Sequence, residues 1–149
     1  MWKLNPDGRF DHWKSFRSHI GSMDLERAIQ ECNDFWQRAP FTPFYLDHKE
    51  IDSWPDPWQL IYENCYCDLA KALGIVYTLH LSAHKNSVDL SIHICQDATT
   101  RAQYNLVWIN QGKYVLNFIT DEIVNRTQVP NSMKTLFKLS SKDLKLDNY

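Results

Sequence analysis

Asp56-Pro57-Trp58-Gln59-Leu60-Ile61-Tyr62-Glu63-Asn64-Cys65-Tyr66-Cys67-Asp68-Leu69-Ala70-Lys71-Ala72-Leu73-Gly74, continuing into Ile75-Val76-Tyr77-Thr78-Leu79-His80-Leu81, is the stretch around which the chain is organised. Asp56 is a good N-cap, because its carboxylate accepts from the free amides of a first helical turn. Pro57 follows at the first helical position, where a missing N–H costs nothing, and Gly74 is a stop signal. At about 100° per residue, Ile61, Ala72, Cys65, Trp58, Leu69, Tyr62, Leu73 and Tyr66 share an arc of roughly 140°. The spacing therefore predicts one central buried helix over 57–73, followed by a strand over 75–81. On this reading Cys65 lies in the apolar arc and Cys67 faces the polar side.

Working outward, 11–21 reads as a short helix capped by Asp11 and stopped by Gly21. Leu25, Ala28, Ile29, Cys32, Phe35 and Trp36 recur at helical spacing and predict a second helix that ends before Pro40. Residues 41–55 form a long connection rich in aromatics, and its Phe41, Phe44, Tyr45 and Trp54, with Trp58 beyond, are the candidate partner-binding surface. After 75–81, alternation predicts strands at 88–95, 104–110 and 113–119, joined by short turns. Short connections between successive strands imply an antiparallel meander. The expected fold is thus α+β, a single domain over 1–149. Its parts are N-terminal helices and an aromatic loop (1–54), a central helix packed on a four-stranded antiparallel meander sheet (55–119), and a docked tail (120–149).

Six Trp, seven Tyr and seven Phe in 149 residues make either a dense core or a sticky surface. The net charge of −2 gives no electrostatic signature for nucleic acid. No run approaches the roughly 18 apolar residues of a membrane span, and 1–7 lacks the apolar centre of a secretory signal. The expected partner is therefore a protein. Cys32, Cys65, Cys67 and Cys95 read as reduced thiols, mostly buried. His80, His93 and Cys95 would share a hairpin face, but no fourth ligand is identifiable, so neither a metal nor a cofactor is expected.

A Cys-bearing helix before an antiparallel sheet is the order of papain-like and transglutaminase-like enzymes. Here Cys65 or Cys67, then His93, then Asn105 could fill it. The segment 104–117 also resembles the two-strand part of transglutaminase-like proteins, which implies Tyr104 or Asn105 where the family has His, and Asn117 where it has Asp. Two physical points oppose catalysis. Cys65 would be more than two turns inside its helix, beyond the reach of the dipole, and Cys67 would point away from His93.

The strings Trp54-Pro55-Asp56-Pro57-Trp58-Gln59-Leu60-Ile61, Tyr66-Cys67-Asp68-Leu69-Ala70-Lys71-Ala72-Leu73-Gly74 and Lys113-Tyr114-Val115-Leu116-Asn117 resemble small proteins of T4-like tailed phages, including cyanophages. That resemblance implies a virion component or assembly factor in the host cytoplasm or the particle, working through protein contact. A cysteine acyltransferase or peptidase of transglutaminase-like type, or an acidic inhibitor of a host enzyme, are the alternatives.

Overall fold

The computed structural model describes residues 1–43 and 45–149. Asn5 starts α1 (Pro6–Gly21) by accepting from the Gly8 amide at 2.8 Å, six residues earlier than the Asp11 start expected. The Asn5-Pro6 pair is the stronger start signal, since Pro sits where its missing N–H is harmless. Asp24 caps α2 (Leu25–Gln37) and Asp56 caps α3 (Pro57–Glu63), each accepting from the amide three residues on.

The long helix expected over 57–73 is two helices. Asn64 takes a left-handed conformation (φ 55°) and ends α3. Arg9, buried beneath α1, donates through Nε to the Ile61 carbonyl at 2.9 Å and through Nη2 to that of Tyr62 at 2.7 Å. These charge-assisted bonds satisfy carbonyls that a continuing helix would have used. Asn64 Nδ2 meanwhile reaches the Trp2 carbonyl at 3.0 Å. Cys65, Tyr66 and Cys67 then run between the helices, with Tyr66 bridged to Phe41, before α4 (Asp68–His80) begins.

The strand expected over 75–81 is the second half of α4. An apolar run buried all round carries no period to separate helix from strand, and every residue from Ala72 to His80 is buried. Gly74 is accordingly not a stop. A Cβ there would overlap the Trp36 ring, so glycine lets α2 press onto α4. One turn on, Thr78 Oγ1 accepts from Trp13 Nε1 at 3.0 Å and Trp36 Nε1 at 2.9 Å, and donates to the Gly74 carbonyl at 2.6 Å.

The sheet is antiparallel throughout and has five strands where four were expected. They are β1 (Leu90–Asp97), β2 (Gln103–Ile109), β3 (Tyr114–Ile119), β4 (Glu122–Val124) and β5 (Met133–Ser140), in the order β4-β3-β2-β1-β5. The first four form the meander, and the tail returns to add β5 beside β1. One face, carrying Ile92, Ile94, Val107, Ile109 and Leu116, packs on the helices. The opposite face holds a smaller cluster of Cys95, Leu106, Val115 and Val124. Among the described residues no helix is long and apolar enough to cross a membrane.

Replacing Thr78 by Val should cost about 2–5 kcal/mol in urea unfolding, since two buried indole N–H groups lose their acceptor. Thr78→Ser keeps the hydroxyl and should cost about 1 kcal/mol, the loss of one methyl. Similar losses for the two variants would show that the hydroxyl contributes little.

Candidate functional site

The break at Asn64 changes the position of both candidate cysteines. Cys65 lies between the helices, partly exposed, with Sγ near the Glu63 carbonyl. Cys67 becomes the N-cap of α4, and its side chain makes no capping bond. The first-turn amides of α4 are therefore left without a side-chain acceptor at the positive end of the helix dipole. Cys67 lines an open cleft of about 710 Å³ together with Leu46, Asp47, His48, Asp68 and Asn105. All four cysteines are free thiols, and burial pushes those of Cys32 and Cys95 up.

Asn105 is on the face of β2 that meets α4, whereas Tyr104 packs against Phe118 on the other face. Asn105 Nδ2 donates to Asp68 Oδ2 at 2.9 Å. Asn117, left-handed at φ 62°, donates through Nδ2 to the Asn105 carbonyl at 2.9 Å and to Asp68 Oδ1 at 3.4 Å. Its own amide donates to Asn33 Oδ1 of α2 at 3.1 Å. A chain of amides thus ties α2, β2 and β3 to the first residue of α4. Burial holds the Asp68 carboxyl above its usual range, and the donors from Asn105 and Asn117 oppose that shift.

Cys67 and Asn105 therefore meet in one cleft, and His93 does not join them. His93 is paired with Leu106 on the outer face of the sheet and stacks on Trp108 with ring centroids 4.0 Å apart. Burial, with Lys138 beside it, pushes its imidazole down to about 4. His80 is at the end of α4 rather than on a hairpin with His93. Among the described residues, no group of three or more His, Cys, Asp or Glu side chains could hold a metal ion.

The candidate aromatic surface is dispersed. Phe41 is exposed at the cleft and Trp58 is half-exposed on α3 against Trp13. Tyr45 and Trp54 are partly buried against the core, Trp54 donating to the Asp47 carbonyl at 2.8 Å. Phe44 lies outside the described residues. Sequence reasoning did not single out His48 and Asp47. No helical or strand pattern placed them, and only the fold of the 41–48 loop brings them to Cys67.

No protein-family model and no curated protein sequence matches the chain. Solved structures do. Legionella pneumophila LapG aligns with TM-score 0.64 at 13% identity, covering 91% of this chain and 75% of that one. Its calcium-bound form gives 0.66 at 13%, covering 93% and 78%, and its EGTA-treated form 0.64 at 13%, covering 91% and 74%. At this identity the likeness is one of fold. It fits the transglutaminase-like resemblance and gives no support to the T4-like phage one.

His93 gives the outer face a pH signature. The unfolded chain binds a proton at this residue near pH 6.5, while the folded chain resists protonation down to about pH 4. Its contribution is complete above about pH 6.5 and is lost as pH falls through that window. Thermal unfolding followed from pH 7 to 4 should show a smaller loss of Tm in His93→Gln than in the native chain. Parallel curves would contradict the assignment.

Proposed function

We propose that this chain has the architecture of a transglutaminase-like cysteine acyltransferase or peptidase, with Cys67 at the nucleophile position, and that it binds an extended peptide in the cleft without cleaving it. The observation that carries the reading is Asn105. The residue facing the nucleophile's helix is a neutral amide, bonded to Asp68 and unable to take a proton from a thiol. Without a base, neither thiolate formation nor protonation of a leaving amine is assisted, and such assistance is worth about 10²–10⁴ in rate.

The same groups suit a peptide backbone. First-turn amides of α4 can receive a carbonyl, and Asn105 Oδ1, without a partner among the described residues, can receive an N–H. Asp68 disfavours an anionic ligand at this point, which favours uncharged main chain. The reading keeps the expectation of action through protein contact. The virion or assembly role implied by the phage resemblance is a further step that the LapG matches do not support.

A second reading retains catalysis. His48 lines the cleft with Cys67, and its Nδ1 is 3.9 Å from Asp47 Oδ1, so loop residues could stand in for the strand histidine. Among the described residues the Cys67 thiol makes no capping bond, and only its carbonyl is engaged, accepting from the Lys71 amide at 3.0 Å. If His48 serves Cys67, His48→Ala will slow iodoacetamide labelling of Cys67 at pH 7 by about tenfold or more. Equal rates would remove this reading.

The main proposal is tested with a positional library of capped hexapeptides, measuring binding and then the mass of the bound peptide. Bound peptides should be recovered intact, and Gln103→Trp, at an exposed residue that also lines the cleft, should weaken binding by about tenfold, roughly 1.4 kcal/mol. Cleaved peptide, or binding indifferent to Gln103→Trp, would refute it.

A further inference from the structure

The sheet ends in an open edge. β5 pairs only with β1 among the described residues, so one side of its eight-residue backbone has no strand partner. Such an edge is a template for another extended segment. Lys134, Thr135, Leu136, Phe137 and Lys138 are all exposed, Leu136 at 47% and Phe137 at 40%.

Charge specifies the occupant. From residue 123 to 142 the chain has Arg126, Lys134, Lys138 and Lys142 and no acid at all, within a protein whose net charge is −2. The first acid beyond, Asp143, folds back to accept from the amide and hydroxyl of Ser140. The register shift opposite Ile94 and Cys95 pairs Lys134 with Gln96 and Lys138 with His93. The two lysines therefore project from opposite faces of the sheet, and an added strand meets a cation on each face. A second copy of the chain fits poorly, because pairing β5 with itself gathers four lysines in one ladder without an acid.

We infer that β5 is a docking edge for an extended acidic segment of another protein, which adds as a sixth strand with its acids at Lys134 and Lys138 and apolar residues against Leu136 and Phe137. Phe137 adjoins the rim of the cleft beside Cys67, its ring centroid 5.5 Å from that of His48, but the open backbone of β5 is a different surface and the inference does not depend on the reading of that cleft. The competing role for edge lysines is to repel incoming strands.

The probe is a fluorescein-labelled heptapeptide with Glu at positions 2 and 5, which project from opposite faces of a strand, and Val elsewhere, titrated with the full chain and followed by anisotropy. We expect saturable binding that weakens by about tenfold or more when the peptide's Glu residues become Lys, when a central Pro removes a backbone donor, or when the protein carries Lys134→Glu with Lys138→Glu. Both lysines are exposed, so the double variant should keep the native circular dichroism. Gln103→Trp should leave this binding unchanged, which separates it from occupancy of the cleft. The inference is overturned if no saturation is reached by about 1 mM peptide, if the Glu and Lys peptides bind alike, or if the double variant binds as the native chain does. Concentration-dependent dimerisation that the double variant abolishes would also overturn it, by assigning the edge to a second copy.

Discussion

The hydroxyl of Thr78 is the point on which the helical layer depends. A hydroxyl offers one donor and two acceptor sites, and here all three are used, by the indoles of Trp13 and Trp36 and the Gly74 carbonyl. One buried oxygen thereby fixes α1 and α2 against α4. The contact requires the Trp36 ring to sit on α4 where Gly74 has no side chain. Bulk at 74 or an apolar residue at 78 would leave large aromatic side chains with polar atoms buried and unmatched.

That anchor sets the geometry of the cleft at the other end of the same helix. Ten residues separate Thr78 from Asp68, or about 15 Å at helical rise. The α4 start is held there by Asn105 and Asn117, with Asn33 behind them. In a cysteine enzyme the residues facing the nucleophile must titrate. At the start of α4 Asn105 and Asn117 are amides whose donors are engaged with the Asp68 carboxylate and a strand carbonyl, and on the proposed reading this positions Cys67 without activating it. The likeness to LapG is one of fold.

Where structure is decided locally it is legible in the sequence. Asp56 caps the helix it was expected to cap, and the alternating segments in β1, β2 and β3 are strands. The resemblance left Tyr104 or Asn105 at the place of the family's His and Asn117 at that of its Asp, and it is Asn105 and Asn117 that reach Asp68 in the fold. The division between α3 and α4 was not legible, because Arg9 and Trp2 impose it from more than fifty residues away. With that break unseen, Cys67 could not be placed at a helix start. The strand assignment for 75–81 failed because burial on every side erases periodicity. β5 was missed because the register shift at its centre interrupts alternation, and its partner β1 is some forty residues earlier.

The central proposal is that Cys67 stands at a nucleophile's place without a base. The most direct measurement is amide turnover on a fluorogenic peptide library by the native chain beside Cys67→Ala, under reducing conditions near neutral pH. Indistinguishable rates are the result predicted. Turnover by the native chain that Cys67→Ala abolishes would contradict the account and show that a base reaches Cys67 in solution.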